Sequence, residues 1–232
     1  GDGVLLPEYC HDPLPLAGRG LAILEVAVRR DGVPVHEVMG GIEQPSVIRA
    51  GAEIVRRFGE IDDLARGDTS TIDPLVGRAS LFVGQIHSGE IFNQSPVELK
   101  LSGTRRWLPG TEVSALEAEF NSVLDEIAGQ FGVRIEREFM FVRDAYRISG
   151  DEPLVGAFQA AHECVTGRRL PTGAKPFVDD GNTFVHRAGI PAVTHGPNAT
   201  GAHTLNEEVP IAELVRVAQV YAETALRFCV ES

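Results

Sequence analysis

The sequence predicts an α/β protein built from two unlike units. The first clue is the order of patterns from 21 to 142: strand, helix, strand, strand, helix, strand. That is the split βαβ, ferredoxin-like order, in which two helices cover one face of a four-stranded antiparallel sheet. The second clue is the change of texture after Ser149, to helix, buried strand, loop and helix. Such an order belongs to an α/β sheet that gathers ligands at the carboxyl ends of its strands. The third is length, because 147–232 is too short for a complete doubly wound domain and needs more strands than it carries.

The elements follow in order. "VLL" (4–6) reads as a short strand, and a Pro-rich loop carrying Glu8 comes after it. "LAILEVAVRR" (21–30) alternates and is β-branched, the mark of a half-buried strand, and "DGVPVHEVMGGIEQP" is turn-rich. From Pro45 the period becomes helical, with Val47, Ile48, Ile54, Val55 and Phe58 on one stripe as far as about Gly59. "SLFVGQIHSG" (80–89) and "VELKLSGTRRW" (97–107) are strands joined by "EIFNQSP". Val113, Leu116, Phe120, Val123, Leu124, Ile127 and Phe131 share a helix face, with Ser114 and Glu117 spaced as a capping box. "VRIEREFMFV" (133–142) alternates as a strand. Then come a helix closed by Gly167, the strand of "IPAVTHGP", and the long helix of "VPIAELVRVAQVYAETALRFC".

Composition narrows the function classes. With 43% hydrophobic and 23% charged residues the 232-residue chain is a folding one. A formal charge of −12 argues against a nucleic-acid partner, and no run reaches the ~18 apolar residues of a membrane span. The opening residues have neither a basic nor an apolar signal region, and three scattered cysteines suit a reduced setting, so a cytoplasmic protein is expected. CxxC, GxSxG, P-loop and GxGxxG motifs do not occur.

A few residues carry possible chemistry. His203 lies in the glycine-rich "GPNATGAHTLNEEVP", just past a buried strand, and Glu8 holds a comparable place after "VLLP". Imidazole and carboxylate together suit zinc, while a turn histidine and a solvated glutamate remain the plainer readings. His36 in "GVPVHEVMGG" is an exposed turn residue or a donor to a developing oxyanion. Asn93 and Arg106 offer hydrogen bonds and a carboxylate clamp, and Arg105 must face away from Arg106. Cys10 and His11 read as loop residues, since neighbours cannot easily meet as nucleophile and base. In "VDDGN", Asp179 and Asp180 read equally as site residues or as a helix cap.

Taken together, "LLPE" with "AGRG", "RRDGVPVH", "SGEIFNQSP", "SGTRRW" and "AGIPAVTHGPNATGAHTLNEEVPI" resemble a known family across nearly the whole chain. It is the zinc-dependent amidohydrolases and exopeptidases that include aminoacylase, acetylornithine deacetylase, succinyl-diaminopimelate desuccinylase and carboxypeptidase G-type enzymes. The resemblance implies a catalytic α/β domain holding two zinc ions (cobalt or manganese in some cases), interrupted by a ferredoxin-like lid that makes a homodimer. It divides the chain into 1–18 and 147–232 in the catalytic domain and 19–146 in the lid. Glu8 and His203 then resemble metal ligands, and His36 the lid histidine that polarises the scissile carbonyl in the neighbouring subunit. Asn93 and Arg106 match substrate contacts, and Gly196 and Gly201 lie in the segment lining the substrate pocket.

The implied substrates are N-acyl amino acids or peptides. The family's early histidine and aspartates and its paired glutamates, one of them the general base, have no counterpart here and would precede Glu8. The expectation is the C-terminal portion of a longer enzyme, inactive alone, or a partner to a separate N-terminal half. The competing expectation is a non-catalytic dimerisation or binding module of the same descent.

Overall fold

The computed structural model of the chain describes residues 1–8, 10–68, 70, 72–202 and 204–230. "VLL" forms β1 (Val4–Leu6), and "LPLAG" forms β2 (Leu14–Gly18), buried throughout in a stretch whose prolines read as loop. β3 (Gly20–Arg29) buries every second residue, as its alternation requires. After β4 (Val35–His36) and two short 3-10 turns comes α1 (Val47–Gly67), begun by the Ser46 side chain accepting from the Arg49 amide. The helix runs past the expected end at Gly59. Val47, Ala50, Gly51, Ile54 and Phe58 make its buried stripe, whereas Ile48 and Val55 face solvent.

β5 (Ser80–Ser88), the short β6 (Gln94–Ser95) paired with β4, β7 (Glu98–Trp107), α2 (Val113–Phe131) and β8 (Arg134–Arg143) complete this region. The antiparallel sheet runs β5-β7-β3-β8, so the first strand lies between the third and the fourth. Leu24, Val26, Leu99 and Leu101 pack against Ile54, Phe58, Phe120 and Leu124 of the two helices. The other sheet face carries Lys100, Ser102, Thr104 and Arg106 and is not part of that core. α2 begins at Glu112 with no side-chain cap, which corrects the capping box expected of Ser114 and Glu117.

The rest of the chain adds β9 (Tyr146–Arg147), α3 (Pro153–Thr166), β10 (Thr172–Lys175), α4 (Asp180–Ala188), β11 (Ala192–Thr194) and α5 (Ile211–Val230). β1 pairs in parallel with β11, and β2 lies between β10 and β9. Its own core gathers Leu14, Tyr146, Leu154, Phe158, Val193 and Val220. Between the two cores the single tryptophan, Trp107, packs with Ala22, Ala145, Phe139 and Phe141. Among the described residues no helix is long and apolar enough to cross a membrane.

Candidate functional site

Parallel pairing decides which loops meet. Leu6 stands opposite Thr194, so the chain leaves β1 and β11 at the same sheet edge. The His195 amide donates to the Leu6 carbonyl at 3.0 Å and the Gly196 amide to the Cys10 carbonyl at 2.9 Å. A Cβ at Gly196 would lie 2.0 Å from the Glu8 carbonyl oxygen, so only glycine lets these loops touch. Glu8 is exposed at that edge. Farther along, Thr200 and Glu208 exchange both backbone hydrogen bonds, and Gly201, at φ +71°, turns the segment between them. His203 lies in that segment and outside the described residues. The loop is fastened to α5 by Glu213, whose carboxylate accepts from the Asn198 amide at 2.8 Å and pairs with Arg216. That amide bond holds the Glu213 pKa below the usual carboxylate value.

Beneath the edge sits a buried polar group that the sequence did not reveal as such. Asp179 accepts from Lys175, from the Gly181 amide at 2.7 Å and from the Thr194 hydroxyl at 2.9 Å. It also caps α4 in a capping box with Asn182, so of the two readings of "VDDGN" the cap holds for Asp179. Asp180 instead pairs with Arg143 at 3.0 Å near the surface. The Lys175 ammonium lies 4.6 Å from the Tyr146 ring centre. Burial lowers the pKa of Lys175, opposed by the carboxylates of Asp179 and Glu8 and by Cys10. Burial likewise pushes the Cys10 thiol up to about 11, which makes it a poor nucleophile at neutral pH.

His36 and Asn93 form a second cluster, at the far end of the sheet. The Val38 amide donates to His36 Nδ1 at 3.3 Å, and His36 Nε2 lies 2.8 Å from the Asn93 side-chain amide. The Asn93 atom placed there is Nδ2; with Nδ1 accepting, a neutral ring carries its proton on Nε2, so the two form a hydrogen bond only with the Asn93 amide turned over to present its oxygen. Arg30 holds both loops together. Its buried guanidinium donates to the carbonyls of Asp31, Val33, Ser95 and Pro96 at 2.8 to 3.0 Å. An open cavity of about 760 Å³ beside the pair is lined by Asn93, Gln94, Ile42, Phe92 and Arg49, among others.

Arg106 occupies the opposite end of β7. It is paired in register with Leu21, whereas the His36 loop follows Arg29 at the other end of β3. At about 3.3 Å per residue, those two ends lie on the order of 25 Å apart. Burial, and then the nearby Arg19, lower the pKa of Arg106, and its Nη1 is buried without a hydrogen-bond partner. Arg105 faces the helices and Glu119, as alternation demands.

Among the described residues no group of three or more His, Cys, Asp or Glu side chains is arranged to hold a metal ion. Glu8 offers one carboxylate donor at the shared edge.

The sequence and the fold point the same way. Over 88 residues, 38% of this chain and 19% of the relative, the chain is 35% identical to N-formyl-4-amino-5-aminomethyl-2-methylpyrimidine deformylase of Halalkalibacterium halodurans. Its fold is similar to that of aminopeptidase PepT from Bacillus cereus, with a TM-score of 0.79 at 17% identity, covering 99% of this chain and 58% of that one. It is also similar to the YXEP protein of Bacillus subtilis, described as a dinuclear metal-binding peptidase, with a TM-score of 0.61 at 17% identity over 98% of this chain and 53% of the other. The chain thus spans little more than half the length of these structures. Residues 17–227 match Peptidase family M20/M25/M40 as a whole, and the chain belongs to that family.

Proposed function

We propose that this chain is the lid and the closing part of a zinc-dependent amide hydrolase for N-acyl amino acids or small peptides that bear a carboxylate. The observation that carries the reading is the parallel pairing of β1 with β11, which sends the Glu8 loop and the loop leading to His203 from one edge. Glu8 and His203 are its two metal donors, for zinc or for cobalt or manganese. The bound metal would supply an acidified water and a Lewis acid. The remaining ligands and the general base come from polypeptide outside this chain, so the chain alone does not turn over.

In this reading 1–18 and 147–232 belong to the catalytic unit, and 19–146 is a ferredoxin-like lid that makes a homodimer in a reduced cytoplasm. His36 lies on β4, which follows the Arg29 end of β3. That end is roughly 30 Å from the Gly20 end where 1–18 joins, so in this reading His36 serves the partner rather than its own protomer. His36 therefore donates its Nε2 proton to the scissile carbonyl in the partner, with Asn93 holding the ring until substrate arrives. Arg106, cationic and with an unpartnered nitrogen, receives the substrate carboxylate. Gly196 and Gly201 keep the pocket-lining backbone close to the substrate.

Complementation tests this reading in the protein joined to its upstream polypeptide. His36→Ala should lower kcat by about 10²–10³, the cost of losing an oxyanion donor, with little change in KM. Glu8→Gln should abolish metal-dependent turnover. Mixing the two and letting protomers exchange should restore roughly a quarter of wild-type activity, since mixed dimers hold one intact site. Absence of recovery removes His36 from the partner's site. A joined protein that binds no metal leaves the non-catalytic dimerisation module.

A further inference from the structure

Arg106 does not stand alone. In the sheet it is flanked by Leu21 of β3 and Ser80 of β5, its partners in register. Arg19 precedes Leu21 by two residues, the period of one sheet face. Through Nη1 the Arg19 guanidinium donates to the Arg78 carbonyl at 3.0 Å, and Arg78 lies two residues before Ser80. Two half-buried arginines therefore converge where β3, β5 and β7 meet the other unit.

Neither has an acid to neutralise it. The chain carries 33 acidic residues against 21 basic ones, yet among the described residues Arg19 and Arg106 form no ion pair, whereas Arg105 is paired with Glu119. Arg106 Nη1 is buried without a hydrogen-bond partner, and the charge of Arg19 adds to burial in disfavouring its cation. Like charges gathered out of water are unfavourable until an anion bridges them. Arg19 is nevertheless held in place from two sides. Asn182, fully buried, donates to the Arg19 carbonyl at 3.3 Å and to the Asp144 carbonyl at 2.7 Å. The loop that offers the Arg78 carbonyl is tied down by Asp73, which accepts from Arg147, and by Leu75, which packs on the second core.

We infer that Arg19 is a specificity residue that grips a second carboxylate of the substrate, beside the one held by Arg106, so that the preferred substrates are N-acyl or peptidyl derivatives of a dicarboxylic amino acid. The inference rests on the reading above for Arg106 as the carboxylate clamp and for the reaction. One carboxylate leaves a positive charge beside a desolvated nitrogen. Two neutralise the pair and engage the donors of both planar forks. A cation fixed in advance, with no partner in its own chain, loses little further freedom when that anion arrives.

N-acetyl-L-glutamate and N-acetyl-L-glutamine are nearly equal in size and differ by a single charge, which makes them the test. In the protein joined to its upstream polypeptide, kcat/KM for the glutamate compound should exceed that for the glutamine compound by about ten- to a hundredfold, the range of a charge-assisted hydrogen bond. Arg19→Gln should bring that ratio close to one. Arg19→Lys keeps the charge and loses the fork, and its ratio should fall between the two. Calorimetric titration of the same proteins without added metal reads binding apart from turnover. The dissociation constants should differ by a similar factor in the wild type and converge in Arg19→Gln.

Equal binding of the two compounds by the wild type overturns the inference. So does a preference for glutamate that survives Arg19→Gln in a protein with an unchanged melting temperature, because the second carboxylate is then held elsewhere. If Arg19→Gln does not fold, Arg19→Lys decides, and an unchanged ratio there overturns the inference as well. A joined protein that hydrolyses both compounds equally keeps the hydrolase reading and loses this one. A joined protein that binds the glutamate compound through Arg19 and turns over neither fails the hydrolase reading and leaves the dicarboxylate site standing.

Discussion

His195 is fully buried, and neither of its ring nitrogens has a hydrogen-bond partner among the described residues. Its ring lies 5.0 Å from Phe158 and stands edge-on to His162 at 5.6 Å. Burial, with His162 adding to it, holds the pKa of His195 down at about 4. An unfolded histidine titrates near ~6.5, so between those values the unfolded chain binds a proton that the folded chain refuses. Stability therefore falls on acidification through that window and is fully present above it. His195→Leu removes the titrating ring and its unsatisfied nitrogens, a change that can be neutral at high pH. Relative to wild type, the variant should gain about 2 kcal/mol between pH 8 and pH 5, from 1.4 kcal/mol per pH unit. Thermal melts at both pH values check this, and parallel pH slopes in the two proteins would dismiss it. His162, lowered in the same direction, remains in both proteins. Residue by residue, the sequence singled out His36 and Asn93 separately, and the folded chain sets their side chains 2.8 Å apart, while Glu8 lies exposed where β1 and β11 end. Arg30 was not legible. In the sequence it is only the last residue of an alternating strand, and only the folded chain shows four carbonyls converging on one guanidinium.

At the scale of elements, α1 lies close on β7 because Gly51 has no side chain. A Cβ there would lie 2.4 Å from Leu99 Cδ1, whereas one at Gly59 on the same helix meets nothing within 4 Å. In an exposed helix interior, alanine gains about 0.8–1.0 kcal/mol over glycine, and Gly59→Ala should show that gain. At Gly51 the overpacking cost of roughly 1–3 kcal/mol exceeds it, so Gly51→Ala should lower stability. Urea titration of the two variants checks the opposite signs, and stabilisation by Gly51→Ala would mean the helix can lift off the sheet freely. The same contrast explains which elements the sequence announced. β3, β7 and α2 are long enough for their period to repeat and were legible. β2 spans five residues with a proline inside, and β9 and β10 span two and four, too few for alternation to register. α4 is nine residues with a weakly apolar face, and its clearest signal was the Asp179 cap. Leu14 and Ala17 are buried by neighbours distant in sequence, which no local pattern records.

For the whole molecule, the separation of its cores has a measurable consequence. The residues of the largest core all fall between Leu24 and Phe139, and the second core draws mainly on the segments before Gly18 and after Ala145. The first surrounds a four-stranded antiparallel sheet covered by two helices, while the second supports the two-stranded parallel pair and the exposed apolar face of α5. Cooperative unfolding requires that losing one region expose much of the other. Among the described residues the apolar contacts between these two are small, the Trp107 cluster and Leu75 on the second core, beside surface pairs such as Arg143 with Asp180. The region around the second core should therefore unfold first in urea and the four-stranded region later. Helix is shared almost evenly, with 14, 9 and 20 residues in α3, α4 and α5 against 21 and 19 in α1 and α2. Far-UV circular dichroism should then fall in two steps of about equal size. Trp107, stacked 6.5 Å from Phe139 and 6.2 Å from Phe141, should keep its fluorescence through the first step and lose it in the second. A single transition, coincident by both probes, would mean that the Trp107 cluster couples the cores into one unit.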